Sequence, residues 1–291
     1  MGYGAGHVIR YRLTVAYDGT DFHGWQKQEP PDKDAPPGPD GRQPRLSLRT
    51  AQGVLETAVR EVVREPVNVQ GASRTDSGVH ARHQTAAFST SDDRIGPPDD
   101  RLRLAINSRL PDDIDVRDIS RTHESFQPIS DCRRKGYVYR VWTGRDRPLW
   151  ERRFVHHIHV PLDADAMREA AAALVGTHDF TSFAALHHGR DSAVRTVAHC
   201  DVRNDGPAVD IHISADGFLY NMVRIVAGTL VDVGRGRLEP GAVPTILEAC
   251  DRRKAGPTMP AQGLCLAWAY YDGDDLQSFD PDVASMLREL L

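Results

Sequence analysis

Residues 71–81 read Gly-Ala-Ser-Arg-Thr-Asp-Ser-Gly-Val-His-Ala. They lie between two short runs, 67–71 and 84–89, which are bounded by turn residues and rich in β-branched or aromatic side chains. Such runs are typical of β-strands. The sequence therefore predicts a strand, a polar loop and a second strand, and the elements on either side of this unit indicate the class of fold.

Two glycines close this loop. Gly71 and Gly78 can adopt backbone angles that other residues resist, so we expect both to shape the turn. The loop would then be a rigid support that presents Arg74, Thr75 and Asp76 together. The alternative is an ordinary surface salt bridge in a turn, since exposed charged loops are common.

The first half of the chain predicts the element order β-α-β-β-α-β. Residues 11–17 alternate between apolar and polar, as a half-buried strand does. Thr50 can cap a helix over 51–63, whose apolar residues recur at helical spacing. A second helix over 99–109 and a strand over 113–119 complete the half. Strands and helices in this order predict an antiparallel sheet covered by helices.

The pattern restarts near Ser125, so two domains are expected, 1–124 and 125–271. The second domain predicts strands at 137–142, 195–202, 209–214 and 264–270, and helices at 163–175, 218–233 and 243–250. Gly176 would end the first of these helices. The whole chain is therefore predicted to be an α+β protein with two similar halves.

The net charge of −5 arises at the carboxyl end of the chain. Residues 272–291 hold six acids and one base, so their own net charge of −5 equals that of the whole chain. We interpret them as an acidic tail outside the core. The remaining bases cluster at 133–135, 145–153, 235–237 and 252–254. Such clusters can bind phosphates, although each one can also be a solvated face.

Residues 29–45 contain six of the 19 prolines together with Asp, Gly and Lys. This composition cannot bury apolar surface and predicts a mobile loop or linker inserted between the first strand and the first helix.

The four cysteines are scattered and form no C-x-x-C pair, which argues against a disulfide framework and a cysteine zinc site. No apolar run approaches the roughly 20 residues that a membrane span requires, and no signal peptide is recognised. We therefore expect a protein of the reducing cytoplasm without membrane association.

The motif A-x-R-T-D-x-G-V-H-A at 72–81 resembles the signature A-G-R-T-D-A-G-V-H-A of the TruA family of tRNA pseudouridine synthases. Ser73 and Ser77 replace the usual Gly and Ala. The family's N-terminal motif is matched by Y-D-G-T-x-F-x-G-W-Q-x-Q at 17–28. In that motif Phe22 and Trp25 either stack on RNA bases or cap the core.

The resemblance implies a pseudouridine synthase fold, in which two ferredoxin-like halves with antiparallel or mixed sheets flank a central active-site cleft. It also implies a homodimer that uses no cofactor and no metal. The substrate would be tRNA, with uridines at about positions 38 to 40 of the anticodon stem-loop isomerised to pseudouridine. A sibling synthase acting on another RNA, or a non-catalytic RNA-binding protein on the same scaffold, are the alternatives.

The resemblance assigns the catalytic roles. Asp76 would be the nucleophile or base, since the reaction needs one ionised carboxylate and no redox step. Arg74 would fill the space left by the extruded uridine or grip its backbone, and Thr75 belongs to the same substrate-binding loop. Tyr137, the first Tyr of a Y-x-Y strand, would stack on the uracil, whereas Tyr139 is interpreted as a core residue.

Arg224 lies in an apolar run of more than three helical turns, within a segment that resembles the family's F-x-x-x-M-V-R. A buried guanidinium without a partner would be very costly, so a carboxylate is expected beside it. Asp76 is the natural candidate, and a structural salt bridge to another acid is the alternative. Gly263 and Leu264 match the family's G-L and are expected to line the uracil pocket.

The histidines suggest a different function. His157 and His159 would share a face of a strand next to His156, and His187 and His188 add two more imidazoles. They would give a metal-dependent hydrolase, but no acidic or cysteine ligand completes the site in register. Proton transfer by His80 is a further alternative to the loop-ordering hydrogen bond that we expect from it.

Overall fold

The computed structural model describes residues 8–36, 38, 40–91, 95–185 and 191–276. The chain divides into two compact units, residues 1–130 and 131–291. Each unit contains both β-strands and α-helices, which confirms the predicted α+β class.

The elements of the first unit are β1 (Val8–Tyr17), α1 (Ala51–Val63), β2 (Gln70–Gly71), β3 (His80–Ser91), α2 (Asp99–Asn107) and β4 (Ile114–Thr122). Strand β1 lies between β3 and β4 and is antiparallel to both, and β2 pairs with β3. The predicted element order is confirmed. The predicted strand over 67–71 shortens to two residues, because only Gln70 and Gly71 pair with β3.

The inward face of β1 and the apolar stripe of α1 form the core of this unit. Tyr11, Leu13, Val15 and Tyr17 alternate along β1 and are at most 4% exposed, as the sequence pattern predicted. The Thr50 hydroxyl accepts from the Gly53 amide at 3.2 Å, which confirms the predicted helix cap.

A buried carboxylate interrupts the apolar stripe of α1. Glu56 is 2% exposed, and its Oε1 lies 2.6 Å from both Lys27 Nζ and Arg60 Nη2. Its Oε2 accepts from the Val69 amide at 3.0 Å. Buried charges need such partners. The bond from the Val69 amide also holds the backbone just before β2 against α1.

The proline-rich insertion has paired ends. Pro31 forms a β-bridge with Arg45, and the Asp32 amide donates to the Pro44 carbonyl at 2.7 Å. On the helix side of this bridge, the Leu46 amide donates to the Pro30 carbonyl at 2.9 Å. The segment therefore leaves and rejoins the unit as two antiparallel arms.

The elements of the second unit are β5 (Cys132–Trp142), β6 (His156–His157), α3 (Ala164–Ala172), β7 (Gly176–Asp179), β8 (Val194–Asp205), β9 (Ala208–Ala215), α4 (Met222–Gly234), α5 (Ala242–Ala249) and β10 (Leu264–Tyr271). Strands β10, β5, β9, β8 and β7 are neighbours in that order, and each pair is antiparallel. Strand β6 pairs in parallel with the end of β5, so the sheet is mixed.

Two predicted helices have different bounds. The helix expected over 163–175 ends at Ala172, and Gly176, with φ +121°, begins β7 instead of ending the helix. The helix expected over 218–233 begins at Met222, because Asn221 adopts a left-handed conformation with φ +62° that cannot continue a right-handed helix.

The start of the acidic tail belongs to the second unit. Asp272 accepts two hydrogen bonds from Arg133, and the nearer nitrogen lies at 2.6 Å. Residues 277–291 of the predicted tail lie outside the described residues. No helix in the described ranges has both the length and the apolar character needed to cross a membrane.

Candidate active site

The loop that carries Asp76 ends in a tight turn. The Val79 amide donates to the Asp76 carbonyl at 3.1 Å, and Gly78 occupies the third position of this turn with φ +79°. A type II turn requires this left-handed conformation at its third position, which confirms the role predicted for Gly78. The turn fixes the Asp76 backbone just before β3 begins.

Gly71 has a different role from the predicted one. Its φ is not left-handed, and it lies in β2. A Cβ built on Gly71 would come within 2.3 Å of the Trp25 indole, so glycine is needed here for close packing.

The segment that precedes the insertion supports the loop from outside. The Trp25 amide donates to the Thr75 carbonyl at 3.0 Å, while the Gly78 amide and the Ser77 hydroxyl both donate to the Phe22 carbonyl at 3.2 Å. Phe22 and Trp25 are each 2% exposed. Their side chains are therefore core residues, and the alternative of stacking on RNA bases is not supported.

The side chains of the loop that carries Asp76 differ in exposure. Thr75 is buried, and its Oγ1 lies 2.7 Å from the Tyr17 hydroxyl. Asp76 is half-buried and Arg74 is exposed. The loop is therefore anchored through the middle residue of Arg-Thr-Asp, with the two charged residues on either side nearer to solvent.

A buried amide holds the beginning of the loop, and this contact was not predicted. Gln84 is fully buried; its Oε1 accepts from the Ser73 amide at 3.1 Å and its Nε2 donates to the Ser73 carbonyl at 2.6 Å. The side chain thus pairs with the loop backbone as a neighbouring strand would. A polar residue at an inward position of a predicted strand was the signal that could have found it.

His80 orders the adjoining turn, as predicted. Its Nδ1 accepts from the Gly19 amide at 2.9 Å, and the imidazole is 3% exposed. The same nitrogen lies 3.2 Å from Asp18 Oδ1, so the imidazole links two residues of the turn that follows β1.

In the second unit, Arg224 lies in the first turn of α4 and is half-buried, not buried as the sequence suggested. Its Nε donates to the Met259 carbonyl at 2.6 Å and its Nη1 donates to Asn221 Oδ1 at 2.9 Å. Both acceptors are neutral, so these bonds orient the cation without neutralising its charge. Neither acceptor was predicted: Met259 is 35 residues away in sequence, and Asn221 supplies a neutral amide where a carboxylate was expected.

A tyrosine hydroxyl fixes the next carbonyl in the same segment. Tyr139 is fully buried, and its hydroxyl donates to the Pro260 carbonyl at 2.9 Å. Burial raises the pKa of Tyr139 well above its ordinary value, while the nearby Arg224 charge opposes the shift. Tyr139 is thus the core residue that the sequence predicted, with a neutral hydroxyl that supports the segment holding Arg224.

Gly263 and Leu264 adjoin Tyr139. A Cβ on Gly263 would come within 2.7 Å of the Tyr139 ring, and Leu264 pairs with Tyr139 in the β10–β5 ladder. Tyr137 lies two residues earlier on β5, so both tyrosines share one face of the strand. Tyr137 is 6% exposed, and its ring contacts Phe218 edge to face with 5.1 Å between centroids.

The histidines do not form a metal site within the described ranges. His157 Nε2 lies 2.7 Å from the Gly144 carbonyl, and the rings of His157 and His159 are 4.1 Å apart. No group of three or more potential ligands gathers anywhere in the described residues. Burial lowers the pKa of His156, which therefore stays neutral at pH 7. His187 and His188 lie outside the described residues.

Comparison with known proteins agrees with the resemblance seen in the motifs. A family model described as tRNA pseudouridine synthase matches residues 170–272. The chain is 41% identical over 257 residues to tRNA pseudouridine synthase A of Brevibacillus brevis, covering 88% of this chain and 97% of the relative. It is also similar to the proteins of that name from Caldicellulosiruptor bescii, at 39% identity, and Moorella thermoacetica, at 41%, each covering 89% of this chain and 98% of the relative.

Proposed function

The chain belongs to the tRNA pseudouridine synthase A family, and on that premise we propose that it isomerises uridine to pseudouridine in tRNA. The uridines are those at about positions 38 to 40 of the anticodon stem-loop. The reaction breaks the N1–C1′ bond, turns the uracil and rejoins it through C5. It consumes no redox equivalent, and the proposal includes no cofactor or metal.

Asp76 is the proposed catalytic carboxylate, and the turn that fixes it is the observation that carries the proposal. The Asp76 carbonyl is bonded to Val79, and the residue before Asp76 is anchored to Tyr17 and Trp25. A half-buried carboxylate on a fixed backbone can act on a substrate without first being ordered, which lowers the cost of reaching the transition state.

We assign Arg224 as the cation that keeps Asp76 ionised, because an opposite charge favours the charged form of a carboxylate. The hydrogen bonds from Arg224 to Met259 and Asn221 support this role, since they fix the orientation of the guanidinium. Its position in the first turn of α4 adds the positive end of the helix dipole.

The remaining assignments follow the family motif residue by residue. Tyr137 is proposed to stack on the detached uracil, with Gly263 and Leu264 lining the same pocket. Arg74 is proposed to occupy the space of the extruded nucleotide, which its exposure permits. Thr75 contributes by holding the loop, because its hydroxyl already bonds to Tyr17.

The finer architecture is part of the same proposal. We infer two ferredoxin-like halves, with domains at 1–124 and 125–271, a central active-site cleft and an acidic tail at 272–291. The element order of the first unit supports the first half of this description. The family resemblance further supports a homodimer in the cytoplasm.

The direct test uses purified protein and an unmodified tRNA transcript with uridines at 38, 39 and 40. Carbodiimide treatment followed by primer extension maps each pseudouridine. Stops at these positions that are absent with the Asp76→Asn variant support the proposal. Primer-extension stops elsewhere in the tRNA, or in ribosomal RNA alone, would show that the enzyme modifies a different uridine from those proposed.

A further inference from the structure

Trp150 is the most exposed large apolar side chain in the described part of the chain, with 89% of its surface accessible. The other three tryptophans differ from it: Trp25 and Trp268 are at most 3% exposed and Trp142 is half-buried. Leu149 beside it is 64% exposed. A large exposed apolar patch on a folded protein commonly marks a binding surface.

The loop that carries Trp150, residues 143–155, is held in place and is called here the platform loop. The Gly144 carbonyl accepts from His157 Nε2 at 2.7 Å, and the Asp146 carbonyl accepts from Trp142 Nε1 at 3.3 Å. Pro148, two residues before Trp150 in the same loop, is buried. Because the backbone around Trp150 is already fixed, little conformational entropy is lost when a ligand contacts the indole.

Exposed cations lie close to Trp150 in the sequence of the platform loop. The platform loop contains Arg145, Arg147, Arg152 and Arg153 against two acids, Asp146 and Glu151, which gives a net charge of +2 (four minus two). The first three of these arginines are exposed. An aromatic face flanked by arginines matches unpaired RNA, since a base can stack on the ring while its phosphates meet the cations.

The platform loop also lies next to the proposed uracil pocket within the second unit. Gln262 Nε2 donates to the Val155 carbonyl at 3.1 Å, at the end of the loop. Gln262 directly precedes Gly263, so the two segments are joined at the start of β10.

We propose that Trp150 is a stacking platform for an unpaired base of the RNA substrate, with the neighbouring arginines contacting its phosphates. The inference rests on the proposed function and adds a contact outside the catalytic motif. Removing the indole would weaken RNA binding by at least about fivefold, since one base stacked on an aromatic ring contributes about 1–3 kcal/mol.

Three variants test the platform. Trp150→Ala removes the ring, and Trp150→Phe keeps an aromatic face without the indole fluorescence. Val175→Ala is the control, since it removes an exposed apolar side chain of the same unit outside the platform loop. Filter binding to a tRNA transcript measures affinity. We expect the affinity for tRNA to fall at least about fivefold for Trp150→Ala, less for Trp150→Phe and under about twofold for Val175→Ala.

Tryptophan fluorescence separates stacking from charge contact. Adding tRNA should quench wild-type emission by an amount that disappears in Trp150→Phe, whereas a fully paired RNA duplex should not produce that quenching. Equal quenching by the duplex would overturn the proposal. Unchanged tRNA affinity of Trp150→Ala would also overturn it. If Trp150→Ala changed only the sedimentation of the protein, a second copy of the chain would be what covers the indole, and the proposal would be wrong.

The proposed function is read separately, from pseudouridine formation by the wild type in the same tRNA. If the wild type modifies no uridine but tRNA still quenches the fluorescence of Trp150, the proposed activity is contradicted and the stacking role of Trp150 is supported. If uridine is modified but tRNA does not change the fluorescence of Trp150, the stacking role is contradicted and the proposed activity is supported.

Discussion

Arg224 and Met259 are joined by two reciprocal hydrogen bonds: Arg224 Nε donates to the Met259 carbonyl at 2.6 Å, and the Met259 amide donates to the Arg224 carbonyl at 3.2 Å. The guanidinium is therefore oriented by the main chain of a segment 35 residues away. One carbonyl further along, Tyr139 holds Pro260. The orientation of the proposed catalytic cation thus depends on packing within the second unit.

Replacing Asp76 by Asn should lower the rate of pseudouridine formation by about 10²-fold or more, because the amide can act neither as base nor as nucleophile. The fold should persist, since the turn depends on the Asp76 backbone carbonyl and not on its side chain. Primer-extension stops measure the rate and filter binding measures retained tRNA affinity. Asp115→Asn, which removes a partly exposed carboxylate of β4, is the control. If Asp76→Asn formed pseudouridine at the wild-type rate, Asp76 would not be the catalytic carboxylate.

Replacing Arg224 by Leu should lower kcat by about 10-fold or more, with a smaller effect on KM, because the cation is proposed to act on Asp76 and not on the bound RNA. Arg224→Lys retains the charge but loses the fixed Nε–Met259 geometry, so an intermediate kcat is expected. Circular dichroism melting checks the fold. A variant that melts far below the wild type, with normal kcat at low temperature, would mean that Arg224 is structural.

Tyr139→Phe should destabilise the protein by about 1–2 kcal/mol, since it removes a buried hydrogen bond and leaves the Pro260 carbonyl without that donor. We also expect a fall in kcat, because the segment that orients Arg224 becomes looser. Urea unfolding and steady-state kinetics measure the two effects. Tyr220→Phe, at an exposed tyrosine, is the control and should change neither.

Gln84→Ala should cost about 2–4 kcal/mol of unfolding free energy, because it opens a cavity and leaves both backbone groups of Ser73 without their partner. Gln84→Glu keeps the shape and one acceptor oxygen but loses the donor to the Ser73 carbonyl. Urea unfolding should rank wild type above both variants. Stability of Gln84→Ala within about 0.5 kcal/mol of the wild type would show that the amide does not support the loop.

The cysteines should differ in reactivity at pH 8. Burial raises the pKa of the Cys200 thiol to about 12, with a smaller contribution from Asp201. A raised thiol pKa keeps the group protonated as the pH increases, and iodoacetamide reacts with the thiolate. Peptide mass spectrometry should find the exposed Cys250 alkylated first and Cys200 only after denaturation. Early labelling of Cys200 in the folded protein would contradict its burial.

Local pattern was enough to predict much of the chain. Alternation along β1 and the Thr50 cap predicted elements of the first unit correctly, because each depends on residues close together in sequence. The R-T-D motif identified the loop, and Gly78 identified its turn. The predicted start of α4 was wrong, because apolar spacing does not show that Asn221 adopts a left-handed conformation. The predicted end of α3 was also wrong, since the helix ends at Ala172 and Gly176 begins β7.

The sequence by itself determined the class of fold, the family and the loop that carries Asp76, since motifs and periodicity are local properties of the chain. The tertiary structure decided which groups hold that loop and Arg224. Gln84, the Trp25 ring over Gly71 and the Met259 carbonyl act through space, and their partners lie 11 to 46 residues away. No local pattern specifies such pairs, because they form only when the elements pack.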